Sequence, residues 1–384
     1  MAPVSLHDLT DEQRDIRDLA RRFADEVVAP QAAAWDREHR FPAEVLGQLG
    51  ELGLLGVTIA EDLGGAGADF VSYALAMEEL SRADAGLGTT FGVHVSAATM
   101  PIVANGTREQ AERLVPPLAQ GHELGAFALT EAGSGSDAGA MLTRAVIDGD
   151  GARLTGTKQW ITNGSHAHTF LVFARDPAAG DRPSGFVVRR GAAGFRVLRE
   201  EEKLGQHSSS TADLGFEDTP AERLGEPGAG MRIALATLDG GRIGIAAQAT
   251  GIAQAALDLA AGYAQERRAF GRAIGGFQAI QQKLADMQTE IEAARALTLR
   301  AARLKAAGLP HTVEGAQAKL FASRVARHWT GEAIQILGGY GYTKEFPAER
   351  YFRDAKVTEI YEGTSEIQRL VIARALLGDV AREG

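Results

Sequence analysis

The chain has 384 residues, 45% of them hydrophobic, and carries a formal net charge of −10. That length suggests two or three structural units around a sizeable core, and the acidic balance argues against a general nucleic-acid or anionic-membrane binder. There is no cysteine, which excludes disulfides, cysteine-ligated metals and thiol nucleophiles and fits a reducing compartment.

The N-terminus, MAPVSLHDLTDEQRDIRD, places acids where a signal or transit peptide is basic or apolar. No apolar run reaches the length of about 20 residues needed to span a bilayer. The expectation is a soluble, cytoplasmic protein with no membrane, no nucleic acid and no metal. Thr10 and Gln13 have capping-box spacing, and Ile16, Leu19, Phe23, Val27 and Val28 follow at helical spacing until Pro30. Thr107 and Gln110 repeat the capping signal, so residues 1–121 read as an N-terminal helical domain.

Between residues 122 and 228 the texture becomes β-rich. AFALTEAG, ARLTGTKQWITNG, TFLVFAR, GFVVRR and GFRVLREEEKLG are separated by turns such as Asp148-Gly149-Asp150-Gly151. This predicts a compact antiparallel β domain. Over residues 229–384 the helical period returns in three long, Ala-rich amphipathic segments. The predicted class is α+β and multi-domain: helices, a middle antiparallel β domain, then a C-terminal helical bundle.

Several stretches carry candidate chemistry. Gly133-x-Gly135-x-x-Ala138 matches a dinucleotide fingerprint formally, but the residues after it read as strand, turn, strand where that motif requires a helix. An ordinary Gly/Ser turn explains it, and so does a loop that cradles an anion or flavin through backbone N–H groups. Trp160-Ile161-Thr162 reads either as a core Trp with a strand Thr or as a flat apolar wall with a hydroxyl for a flavin. Arg267 and Arg268, near a helix end, suit the macrodipole or a pyrophosphate clamp. The glycines after Gln335 exceed what one C-cap requires and allow close backbone approach.

Glu362 stands in IYEGTSEIQR between an apolar Ile-Tyr pair and a helix start marked by Ser365 and Gln368, which fit a capping box. Two roles fit it equally. An acid before a helix N-terminus complements the dipole, whereas a carboxylate desolvated among apolar and small neighbours has a raised pKa and suits proton abstraction.

Together, LTEAGSGSD (129–137), KQWITNG (158–164), LDGGRIGIAAQATGIAQ (238–254), ERRAFG (266–271), QILGGYGY (335–342) and RDAKVTEIYEGTSEIQR (353–369) resemble the acyl-CoA dehydrogenase family. The resemblance covers nearly the whole chain and is closest to short-chain, butyryl-type members. It implies an N-terminal helical domain, a middle β domain and a C-terminal four-helix bundle, assembled as a homotetramer around FAD. It also implies FAD-dependent α,β-dehydrogenation of a fatty acyl-CoA to trans-2-enoyl-CoA, as in fatty-acid β-oxidation or related acyl-CoA catabolism. Electrons would pass to an electron-transferring flavoprotein.

Carried over by position, Phe127, Leu129 and Thr130 meet the flavin, and Ser136 sits near the flavin and acyl-CoA. Trp160, Ile161 and Thr162 flank the isoalloxazine ring. Arg267, Phe270, Gln278, Gln335, Leu337, Gly338 and Gly339 hold the FAD of the adjacent subunit, and Thr364 and Glu366 reach its nucleotide end. Asp239 and Arg242 contact the CoA portion, Tyr361 and Gly363 line the substrate, and Glu362 matches the catalytic base. Some members carry that glutamate at the position of Gly241, which has no side chain here. Ala132 departs from the family's usual proline, leaving a less rigid loop without losing an N–H donor. The alternatives are a branched-chain or glutaryl-type member, an acyl-CoA oxidase, or a non-catalytic helical scaffold that binds acyl-CoA or FAD.

Overall fold

A computed structural model describes residues 9–149, 151–378 and 380. The first eight residues of the N-terminal reading, and Asp150 of the expected turn, lie outside the described residues. Both capping boxes form. Thr10 accepts from the Gln13 amide at 3.1 Å and starts the Asp11–Phe23 helix, and Thr107 with Gln110 starts Arg108–Ala119. Gln13 also donates to Asp69 at 2.6 Å, tying the first helix to the cap of Phe70–Ala83.

The middle unit is one seven-stranded sheet of β1 (Gly125–Ala128), β2 (Arg144–Asp148), β3 (Gly151–Thr162), β4 (Thr169–Asp176), β5 (Arg182–Arg189), β6 (Phe195–Glu200) and β7 (Thr211–Leu224). Antiparallel pairs dominate, but β4 runs parallel to both β1 and β2. The expectation of a purely antiparallel unit is corrected on that point. The chain crosses from β1 to β4 through the β2–β3 hairpin, and a connection that long permits parallel pairing.

The C-terminal unit packs three long helices, Gly230–Glu266, Gln278–Ala306 and Thr312–Leu337, with the shorter Ala348–Lys356 and Ser365–Leu377 against the third. The two helical units are not separate in packing. Trp35, Tyr73, Leu80 and Phe91 share a buried cluster with Ile243, Ile252, Met287, Ile291 and Trp329. The sheet keeps its own core around Phe170, Val172, Phe186 and Leu214.

Two helical stretches, Ala85–Asn105 and Gly230–Glu266, are long and apolar enough to cross a membrane by length and composition alone, contrary to expectation. Frequent Ala, Val, Ile and Leu raise the mean hydropathy, while interspersed Gly and Thr break any continuous apolar run. They are core elements, with 72% and 83% of their most apolar 18-residue windows buried within the fold.

Small residues set how closely the Gly230–Glu266 helix approaches Phe70–Ala83. A Cβ on Gly251 would lie 2.2 Å from the Glu78 carbonyl oxygen, whereas one on Gly262 would meet nothing within 4 Å. In an open helix, Gly→Ala gains about 1 kcal/mol. Gly262→Ala is therefore expected to raise the melting temperature and Gly251→Ala to lower it. Equal shifts of the same sign would contradict this packing.

Candidate active site

Glu362 sits in a tight reversal between two helices. Its φ is +54°, and that of Gly363 is +87°. Such a left-handed pair is unfavourable for a non-glycine residue and persists only where the surroundings enforce it. Thr364 caps the next helix by accepting from the Ile367 amide at 3.3 Å. The capping box expected at Ser365 and Gln368 does not form. The buried Gln368 side chain instead donates to the Gly363 carbonyl at 2.7 Å.

The reversal aims the Glu362 carboxylate at the bare face of Gly241. A Cβ there would stand 2.3 Å from Oε2. Oε2 is enclosed and has no hydrogen-bond partner among the described residues. Burial pushes the carboxyl up, Lys319 and Arg242 pull it partly back, and the result is about 7.

Tyr361, beside it, is fixed from three directions. Its hydroxyl donates to Gln248, accepts from the Gln206 amide at 3.3 Å, and lies 3.3 Å from Thr89 Oγ1. Gln248 also donates to Thr89 and to the Ala85 carbonyl, each at 2.7 Å. Burial, the main cause, pushes the phenol up to about 12 and keeps it a neutral donor.

Asp239 and Arg242 engage each other at 2.7 Å, and Thr312 occupies the second Asp239 oxygen at 2.7 Å. Arg242 is buried and is one of the two cations acting on Glu362.

On the β domain, Phe127 tilts against Phe173 at 5.2 Å, Leu129 is buried, and the Thr130 carbonyl accepts from the Gln159 amide. Ser136 is exposed in the loop after the glycines, which runs through one 3-10 turn, Ala138–Ala140, into β2 with no α-helix between, as expected. Trp160 is 57% exposed with φ +57°, where β3 shifts register against β7 between Lys158 and Ile161. Ile161 faces the core, and Thr162 pairs with Thr211.

A buried ion pair joins these two stretches and was not anticipated. Lys158 Nζ meets Glu131 at 2.7 Å and the Leu129 carbonyl at 2.8 Å, while Glu131 accepts from the Leu142 and Thr143 amides. Burial pushes the Lys158 ammonium down to about 8. Burial also raises Glu131, but hydrogen bonds from Lys158 and Thr143 outweigh it and hold the carboxyl below its usual range.

A second group lies far along the bundle. Arg267, over the Tyr340 ring at 5.6 Å, lines an open pocket of about 530 Å³ with Leu337, Gly338 and Gly339. Gln335 is exposed, and so is Gln278 at the start of its helix. Phe270 is 95% exposed with φ +51°. Twenty-six residues of helix at about 1.5 Å each separate Gly241 from Arg267, roughly 39 Å. Thr364 and Glu366 stay with the first group, Glu366 pointing to solvent. The exposed aromatic faces and the bare glycine rims fit a large, flat ligand.

Three family models cover the chain in order: the N-terminal domain (residues 10–122), the middle domain (126–219) and the C-terminal domain (228–377) of acyl-CoA dehydrogenase. The chain belongs to the acyl-CoA dehydrogenase family, flavin-dependent oxidoreductases whose cofactor is FAD. It is 51% identical over 375 residues to the mitochondrial short-chain specific acyl-CoA dehydrogenase of Bos taurus, covering 96% of this chain and 91% of that protein. Butyryl-CoA dehydrogenase from Megasphaera elsdenii superposes with a TM-score of 0.94 at 44% identity, covering 96% and 99% of the two chains. A chain solved in a study of the electron transferring flavoprotein of Acidaminococcus fermentans gives 0.95 at 47% identity, over 97% and 100%. A Bacillus anthracis acyl-CoA dehydrogenase complexed with FAD gives 0.92 at 36%, over 98% and 68%.

The raised Glu362 pKa has a signed consequence. Ionisation is harder in the fold than in the unfolded chain, so its contribution to stability is present below about 4.5 and lost as pH rises through about 7. Denaturant titrations should show wild type losing stability relative to Glu362→Gln across that window. A pH-independent difference between the two would contradict the enclosed carboxylate.

Proposed function

We propose that the chain dehydrogenates a short, straight-chain acyl-CoA to its trans-2-enoyl thioester, with Glu362 as the base that takes the pro-R α-proton. The observation that carries this reading is the unpartnered Glu362 Oε2 enclosed against Gly241. A general base works best with a pKa near the working pH, and about 7 meets that condition. FAD, when bound, accepts the hydride from the β-carbon.

The chain's own residues do the rest. Gly241 leaves room for the carboxylate itself, since a Cβ there would stand 2.3 Å from Oε2. The Thr89–Gln206–Gln248 contacts hold Tyr361, and with it the backbone that orients Glu362. Arg242 favours the charged form of the carboxylate. Phe127, Leu129, Thr130 and Ser136 with Trp160, Ile161 and Thr162 would hold the flavin, and the Lys158–Glu131 pair keeps their two stretches together.

We assign Arg267, Phe270, Gln278 and residues 335–339 to the FAD of a neighbouring subunit in a homotetramer. The separation of roughly 39 Å along one helix and the 95% exposure of Phe270 support that reading. The acyl-CoA preference follows the short-chain and butyryl-type relatives. An electron-transferring flavoprotein fits as acceptor, and the lack of cysteine fits the cytoplasm.

Glu362→Gln keeps the shape of the side chain but cannot accept the proton. The variant should retain FAD and bind butyryl-CoA, yet bleach its flavin at least about 10²–10⁴-fold more slowly. In wild type, bleaching should be fastest with short straight chains. Wild-type bleaching by the variant would remove Glu362 as the base, and fastest bleaching with long or branched acyl groups would remove the substrate assignment.

A further inference from the structure

The Thr312–Leu337 helix grips the Glu362 loop along one face. Lys319, Ser323 and Arg327 recur at four-residue spacing and so line up on one side. Lys319 Nζ donates to the Gly363 carbonyl at 2.6 Å, Ser323 Oγ to the Thr358 carbonyl at 2.9 Å, and Arg327 Nε to Glu359 at 3.2 Å. Both ends of the reversal are therefore tied to the same helix.

Lys319 is the unusual member. It is 1% exposed, and its hydrogen bond goes to a neutral carbonyl that already accepts from Gln368. Holding a loop does not require a buried charge, and burying an ammonium is costly without compensation. Arg242, the other cation near Glu362, is paired with Asp239 at 2.7 Å. Burial pushes the Lys319 ammonium down to about 8; the Glu362 carboxylate offsets that most, with Glu359 and Glu366 adding to it and Arg242 opposing. Around Glu362 itself stand Arg242 from the Gly230–Glu266 helix, Lys319, the neutral Tyr361, and Tyr73 from the Phe70–Ala83 helix.

We propose that Lys319 is a positioning residue for Glu362: it pins the left-handed reversal through the Gly363 carbonyl and supplies the buried cation that favours the charged carboxylate. The proposal rests on Glu362 being the base. The ammonium touches no reacting atom and acts through the loop and the field. It also explains why the strained Glu362–Gly363 pair persists. The carbonyl of Gly363 is held by two donors, so the reversal cannot relax without breaking both.

The test uses the FAD-loaded enzyme and butyryl-CoA, with stopped-flow bleaching recorded from pH 6 to 9. Lys319→Met is an apolar near-isostere, and Lys319→Arg restores the charge. Lys319→Met should move the acidic limb of the pH–rate profile to higher pH by about one unit or more, the scale of losing a nearby opposite charge. Its plateau should fall at least about tenfold, and its FAD content and melting temperature should be held or raised. Lys319→Arg should bring the limb back toward wild type. An unmoved limb in Lys319→Met, whatever happens to its plateau, overturns the proposal, and so does an arginine variant no closer to wild type than methionine. Glu362→Gln separates the two claims. If it fails to bleach while Lys319→Met keeps a wild-type limb, only the role of Lys319 falls. If Glu362→Gln bleaches normally, the base falls and this role with it.

Discussion

A carboxylate held out of water without a direct partner is the constraint around which this site is arranged. An isolated buried charge is strongly disfavoured, and a tightly paired one is a poor base. The structure lies between those limits. Among the described residues Glu362 Oε2 has no hydrogen-bond partner, while Lys319 and Arg242 act on it through space. Both cations are anchored elsewhere, Arg242 on Asp239 and Lys319 on the Gly363 carbonyl. The carboxylate is therefore stabilised without being occupied, and its proton affinity falls near neutrality.

That arrangement needs space as well as charge, and glycine supplies it. Gly241 leaves the volume that the carboxylate faces, and one turn on, Gly244 leaves room for the Tyr73 hydroxyl. Further along, Gly251 lets the Phe70–Ala83 helix come within backbone contact. One helix thus combines the wall that Glu362 faces with a close packing seam of the shared core. Most of the fixed neighbours of Tyr361 come from that seam too, since Thr89 and Gln248 lie on helices packed there.

Local signals in the sequence were well resolved. The two capping boxes and the α–β–α texture depend on residues within a few positions of each other, and both appear in the fold. At Glu362 the apolar and small neighbours allowed an enclosed acid but left a helix-dipole role equally open, and its enclosure against Gly241 came from the fold. What the sequence could not carry is pairing across elements. Glu131 and Lys158 are 27 residues apart on different segments, and Lys319 lies 44 residues before Gly363. Each charge alone looks like a solvated side chain. The same limit explains the missed parallel pairings of β4 and the single core shared by both helical units. At Ser365 the spacing was right but the outcome differed: the Gln368 carboxamide found the Gly363 carbonyl, and Thr364 served as the cap.

The relation between Glu362 and Gly241 can be measured with one methyl group. Gly241→Ala removes no functional atom and suits a helix, but its Cβ would stand 2.3 Å from Oε2, so the carboxylate must move. A displacement of about 1 Å at a reacting group can lower the rate on the order of 10²-fold. Single-turnover flavin reduction by butyryl-CoA in Gly241→Ala should slow by roughly that factor, with FAD content and melting temperature maintained. Reduction at the wild-type rate would mean that the proton is taken somewhere other than against Gly241, and would contradict the account.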